Sequence, residues 1–244
     1  MTITLVGTPQ IGNTTNGGNV TLTFSTTPSE NDYVVVYGGV GGGTAPSAPG
    51  TGYTQIALVS ATTRFGVWIK KMTSSPDASV LCRGNSVTSA AVAYGCYVFR
   101  GVDGTTPQDA TATTATNFTG APNPASITTA TNSAWVLAFG NGSVSDATPG
   151  TISGYSNQYN TTASDTEPIT VAGATLEKAT AGAENPAAWS TWADSEWYTV
   201  TVALRPAATG WTNIVKVNGI ASTSISKVND IAVASISKIN GIAV

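Results

Sequence analysis

Along most of the chain, apolar residues come in short runs with a period of two, separated by Gly, Pro, Ser, Thr and Asn. Alternation of this kind sends successive side chains to opposite faces and predicts strands. "NVTLTFS" (19–25) puts Val20, Leu22 and Phe24 on one face, with Thr21 and Thr23 on the other. "DYVVVYGG" (32–39) reads as a short buried strand closed by glycine. "RFGVWIKKM" (64–72) sets Phe65, Val67 and Ile69 against Trp68 and Lys70. "AAVAYGCYVFRG" (90–101) is apolar on both faces and belongs in the middle of a packed sheet, as does "NSAWVLAFGNG" (132–142). "EWYTVTVALRP" (196–206) has the cleanest period, with Tyr198, Val200, Val202 and Leu204 inward against Thr199, Thr201 and Ala203, and it stops at Pro206.

Gly/Pro/Ser/Thr-rich stretches such as "GGVGGGTAPSAPGTG" (38–52) and "NFTGAPNPAS" (117–126) read as loops, the glycine run as a mobile one. Only "ATLEKAT" (174–180) has helical spacing, for a turn or two. Many strands, long polar loops and almost no helix predict an all-β chain. The expected architecture is a jelly-roll-like β-sandwich over residues 1–207, followed by a small C-terminal β-repeat module over 208–244. Pro206 and the "AATG" after it mark the boundary.

The closing segment, "IVKVNGIASTSISKVNDIAVASISKINGIAV" (214–244), repeats one eleven-residue unit nearly three times. Ile214, Ile225 and Ile236 share one position, and Lys216, Lys227 and Lys238 the next recognisable one. Val217, Val228 and Ile239 follow, then Asn218, Asn229 and Asn240, and then Ile220, Ile231 and Ile242. Asn-Gly, and less strongly Asn-Asp, supplies the positive φ angles of a two-residue hairpin turn. Ile231, Val233 and Ile239 fall on one face while Ile236 falls on the other, so a flat meander leaves one apolar set wet. A short unit that cannot cover its own apolar face needs stacked neighbours. A bend near Ser224 and Ser235, or burial between several chains, would cover both sets. Rather than an unfolded low-complexity linker, the tail is expected to be a small β-meander or β-solenoid that completes its core by joining copies around a symmetry axis, as a trimer. At about 25 cal/mol per Å² of apolar area, covering these residues favours association by roughly several kcal/mol per chain. The oligomerisation residues expected on this basis are Ile214, Val217, Ile220, Ile225, Val228, Ile231, Val233, Ile236, Ile239 and Ile242.

Composition narrows the function. Charged residues make up 9% of the 244, and Ser, Thr, Gly, Ala and Asn take their place. A polar but nearly uncharged surface suits repetitive or extracellular assemblies better than cytosolic enzymes. Net charge is −3 with no basic cluster, so no nucleic-acid partner is expected. No stretch approaches the roughly 20 apolar residues of a membrane helix, and no membrane partner is expected. "MTITLVGTPQIG" lacks the layout of a secretory signal, which fits a protein released by lysis. Cys82 and Cys96 are the only cysteines, and read as two buried thiols or as a bridge between adjacent strands.

Candidate chemistry is sparse. With no histidine, the commonest general base, the Ser-His and Cys-His pairs and the usual zinc ligand are gone. The remaining route is a carboxylate pair. Asp103 and Asp109, Asp165 and Glu167, and Asp194 and Glu196 are the nearest pairs, all in predicted loops or at strand ends. Asp103 and Asp109 lack the spacing of an EF-hand loop. No catalytic residue, metal site or cofactor is expected. "GGVGGG" (38–43) lacks the Gly-Lys-Ser/Thr ending of a phosphate loop. "WSTWADSEW" (189–197) gathers Trp189, Trp192 and Trp197; Trp189 and Trp192 are either a sugar-stacking pair or core filling before the last strand.

Taken in order, "NDYVVVYGG", "GYTQIALV", "RFGVWIKKM", "YVFRGVDGTTPQD", "SAWVLAFG" and "EWYTVTVALRP" resemble a β-sandwich domain of tailed-bacteriophage virion proteins. The tail is similar to the Lys-Val/Ile-Asn-Gly repeats that end many phage structural proteins, and "RGVD" and these repeats are the most specific of the matches. The resemblance covers most of the chain and implies a virion component. It carries over no catalytic residue. The expectation is a non-enzymatic, homo-oligomeric capsid decoration or fibre protein, whose partners are itself and other virion proteins such as the major capsid protein or tail components. The alternative is a tail-associated module that binds a host surface glycan through Trp189 and Trp192.

Overall fold

The computed structural model describes residues 1–60, 64–84, 87–143, 148–192 and 196–208, and the residue pairs 216–217, 220–221, 227–228, 231–232, 238–239 and 242–243. It is all-β, with no helix among the described residues. The chain divides into two compact units, Thr2–Pro206 and Ala207–Val244 with Met1.

In the larger unit, the first half contains β1 (Thr4–Leu5), β2 (Gln10–Thr14), β3 (Val20–Thr23), β4 (Tyr33–Val40), β5 (Thr54–Ser60), β6 (Arg64–Lys71), β7 (Ser79–Cys82) and β8 (Val92–Arg100). The second half contains β9 (Gln108–Asn117), β10 (Ile127–Thr129), β11 (Ala134–Gly142), β12 (Ser156–Ala163), β13 (Ile169–Lys178), β14 (Gly182–Glu184) and β15 (Trp197–Leu204). β5-β6-β4-β8 form one antiparallel sheet, with β1 and β2 sharing the far side of β8. β12-β13-β11-β15-β9 form the other. Two ribbons, β3–β7 and β10–β14, stand apart from these sheets.

Each half of the chain thus builds its own sheet. A jelly roll deals successive strands alternately to both sheets, so the β-sandwich holds but the jelly-roll wiring does not. The two halves instead repeat one plan. Tyr33 lies between Lys71 and Phe99, and Trp135 lies between Glu177 and Leu204. Counting along the strands from these anchors, Tyr37 corresponds to Phe139, Gly38 to Gly140, and Arg100 to Arg205. β5 breaks register between Gln55 and Ala57, and β12 does so at the matching place, between Ser156 and Tyr159. β1 and β2 together occupy the position of β9, since Leu5 pairs with Phe99 and Gln108 with Leu204. Even the lead-in repeats. Asn31 and Ser133 both adopt positive φ, and their N–H groups donate to Met72 and Ala179, just beyond the partner strand.

The same face of both sheets turns inward. Tyr33, Val35, Tyr37, Phe65, Val67, Tyr97 and Phe99 meet Leu137, Phe139, Ile169, Val171, Val200, Val202 and Leu204 in one central core. Tyr37 stacks on its own counterpart Phe139, with centroids 4.6 Å apart and planes at 21°. A residue touching its equivalent is the mark of a two-fold axis, here an approximate one within a single chain.

The outward faces are buried too, which is why β4, β8 and β11 read as continuous apolar runs. The β3–β7 ribbon lays Val20, Leu22, Val80 and Cys82 over Val34, Val36, Trp68, Tyr94 and Val98. On the second sheet, Ile127, Ile152, Tyr155, Trp189 and Trp192 cover Val136, Ala138, Ala172, Ala174 and Ala203.

Two local expectations change. Gly38, Gly39 and Val40 of the glycine run belong to β4 and are buried, as are Gly41 and Gly42. A Cβ at Gly38 would overlap the Tyr94 ring, and one at Gly41 the Glu167 carbonyl, so glycine here permits close packing and not mobility. Residues 174–178, within the short stretch of helical spacing, continue β13, where Ala174, Leu176 and Lys178 pair with Ala138, Val136 and Ala134. A nine-pair ladder overrides the local propensity.

In the smaller unit, three strand pairs recur at the repeat interval: Lys216–Val217 with Ile220–Ala221, Lys227–Val228 with Ile231–Ala232, and Lys238–Ile239 with Ile242–Ala243.

Candidate functional site

Every acidic pair singled out in the larger unit is employed in holding the fold, as far as its residues are described. Asp109, at the start of β9, is buried and accepts from Ala130 N (2.6 Å), Thr131 N (3.1 Å), Thr131 Oγ1 (2.7 Å) and Arg205 Nε (3.3 Å). Its neighbour in sequence, Asp103, instead accepts from Thr106 N at 2.7 Å and Thr105 N at 2.9 Å, bonds that hold its carboxyl below the usual range. Asp165 accepts from Asn16 N and Thr166 N, both at 2.8 Å, and is held low for the same reason. Glu167 acts through its backbone, accepting from Ala91 N and donating to Ser89 O, which fastens the second half to the segment before β8. Glu196 accepts from the Tyr198 hydroxyl, and Asp194 lies outside the described residues.

No group of three or more Cys, Asp or Glu side chains among the described residues is placed to hold a metal ion. Cys82 and Cys96 are free and buried in the outer core of the first sheet. Burial pushes the Cys96 thiol up to about 12 and raises that of Cys82 as well. Thiols with so little thiolate are poor nucleophiles.

The tryptophan pair is core. Trp189 is 2% exposed and Trp192 1%, and their rings meet edge to face at 5.5 Å and 76°. The glycan-stacking role of Trp189 and Trp192 is thereby corrected: neither indole has a face to offer a sugar. They are buried because Gly140 and the alanines of β11, β13 and β15 leave room above that sheet. A Cβ at Gly140 would sit 3.0 Å from the Trp189 ring and 3.3 Å from that of Trp192. Trp197 donates Nε1–H to Thr119 O at 3.1 Å.

Of the proposed oligomerisation residues, Val217, Ile220, Val228, Ile231, Ile239 and Ile242 lie in the short paired strands. Val217 is opposite Ile220, Val228 opposite Ile231, and Ile239 opposite Ile242. Ile214, Ile225, Val233 and Ile236 fall outside the described residues.

Two shallow hollows mark the larger unit. One, of about 250 Å³, is bordered by Tyr53, Lys70, Asp77 and Ser79; Lys70 bridges to Asp77 at 2.6 Å and sits 5.4 Å above the Tyr53 ring. The other, of about 470 Å³, separates Ile56 on β5 from Gln108–Ala112 on β9. In both, the carboxylate is engaged, Asp77 by Lys70 and Asp109 by Arg205 and Thr131.

What sequence reasoning missed are the buried acidic partners of two arginines at matching points of the two halves. Arg100 is held by buried Asp32, with Nε at 2.9 Å and Nη2 at 2.8 Å, and Arg205 by buried Asp109. The only sequence signal is that "YVFR" and "VALR" both end in arginine. Compared with known protein families, with curated proteins and with solved structures, the chain matches none.

Proposed function

We propose that the chain is a structural protein of a tailed-bacteriophage virion, a homo-oligomeric decoration or fibre protein whose C-terminal repeats join copies. The observation that carries this reading is the tail: one strand pair recurs three times, at an eleven-residue interval, in a unit separate from the sandwich. The resemblance of "RGVD" and of the terminal repeats to phage virion proteins supplies the biological setting. The sandwich fits a part that projects or caps. Asp103, Asp109 and Asp165 are spent on backbone N–H groups, Asp109 also on Arg205, and charged residues are few. The glycan-binding alternative loses the residues on which it was built.

Deleting 211–244 tests the reading. The truncated chain is expected to keep its β-sheet circular dichroism while the number of chains per particle, measured by light scattering, falls threefold. A particle of unchanged chain number rules out the tail as the assembly device.

A further inference from the structure

The approximate two-fold axis relates two seams where sheet edges meet, and they differ. At one, β12 lies against β2, tied by Asn13 Nδ2–H donating to Thr161 Oγ1 at 2.6 Å. The axis carries this seam onto the pair β5 and β9, which is parted by the 470 Å³ hollow beside Ile56. β5 and β9 are both end strands of their sheets, and among the described strands nothing pairs with their outer edges.

Natural edge strands are protected by charge, proline, bulges or a covering segment. β5 and β12 each have a register break, and β12 is in addition packed on β2. β9 reads "QDATATTATN", with no proline, and its single charge, Asp109, is turned inward to Arg205 and Thr131. β5, "TQIALVS", carries no charge at all. From Thr113 to Asn117, β9 pairs with β15 without a break, so this stretch is straight enough to template another strand.

We propose that β9 is an interface between copies of this chain, pairing antiparallel with β9 of a second copy about a two-fold axis at Ala115. A two-fold axis brings every charge near its like, which ordinarily forbids self-pairing. Residues 110–117 hold no charge, and the pairing sets Thr114 opposite the partner's Thr116, with Ala115 opposite its equivalent. That neutrality favours a second copy over a charged foreign strand. The same axis brings the uncharged β5 edges and the hollow beside Ile56 toward each other. The interface is independent of the tail: repeats set one multiple of the assembly, and this edge contributes a further factor of two.

Thr114 and Thr116 are exposed, and Thr116 also hydrogen-bonds Tyr198, so each variant is first checked for wild-type circular dichroism. In the full-length chain, Thr114→Lys with Thr116→Lys places lysine opposite lysine twice and is expected to halve the mass measured by light scattering. Thr114→Lys with Thr116→Glu places lysine opposite glutamate and is expected to retain the wild-type mass. An unchanged mass in the lysine pair overturns the proposal, as it would if another strand occupied the edge. Failure of the lysine–glutamate variant to retain the mass overturns it too. A failed tail reading shows instead as an unchanged chain number after deletion of 211–244, whatever happens at β9.

Discussion

The two halves of the sandwich share a strand plan but fill it differently. In the first half the sheet itself supplies the bulk of its outer layer through Val36, Trp68, Tyr94 and Val98. The matching positions in the second half are Ala138, Ala174, Thr199 and Ala203, and the bulk arrives from a connecting segment as Trp189 and Trp192. Each half still lays an indole on a glycine of its sheet: a Cβ at Gly66 would overlap the Trp68 ring, as one at Gly140 would crowd Trp189. What is held constant over a sheet is the filled volume, not the element that fills it. Interiors packed at crystal-like density impose that constraint and leave the source of the atoms open.

The comparison is broken most directly by removing either indole. Trp68→Ala and Trp189→Ala are each expected to lower the free energy of unfolding by about 3–5 kcal/mol, the range for deleting a large buried aromatic. Chemical denaturation measures both. Should Trp189→Ala cost less than about 1 kcal/mol, as an exposed substitution would, the loop indole is not the counterpart of Trp68.

A smaller effect sharpens the axis. Tyr37 and Phe139 occupy equivalent positions and stack across the core. A double-mutant cycle with Tyr37→Leu and Phe139→Leu is expected to yield a coupling of about 0.5–1.5 kcal/mol beyond the separate losses. Additive losses would mean that the rings do not meet, and the approximate axis would lose its central contact.

Much of this fold was legible because the alternation that places side chains on two faces is local. The inward sets on β6 and β15 were readable residue by residue: Phe65, Val67 and Ile69, and Val200, Val202 and Leu204. The wiring was not, because pairing Tyr33 with Phe99 or Trp135 with Leu204 depends on loops of dozens of residues that carry no register signal. The repeat was hidden for the same reason that it is informative. "YVVVYG" and "WVLAFG" keep only their aromatic ends, one valine and the glycine, while the outer residues were exchanged for compensating ones elsewhere. Burial of Asp109 was invisible because Arg205 lies 96 positions away, so the aspartate read as a solvated loop acid. The tryptophan pair stayed ambiguous, since an indole's spacing says nothing about whether alanines lie beneath it. Only the tail announced itself, through a periodicity that needs no partner to be read.

The smallest expected effect concerns the chain crossing that joins the halves. Asp103 donates its N–H to Arg205 O at 2.8 Å, while its carboxylate gathers the N–H groups of Thr105 and Thr106. Because those backbone bonds favour the charged form, the folded-state pKa lies below the ordinary value. A depressed carboxyl contributes stability that is fully present above the unfolded-state pKa of about 3.9 and is lost as pH falls through the folded value. Asp103→Asn keeps an acceptor oxygen but no charge, so it removes the titrating part alone. The difference in melting temperature between wild type and Asp103→Asn should therefore be greatest near neutral pH and should shrink below about pH 4. A gap that stays constant from neutral to acid pH would show that the carboxylate charge does not stabilise the crossing, leaving it to the backbone bond from Asp103 to Arg205 and the bridge between Val102 and Pro206.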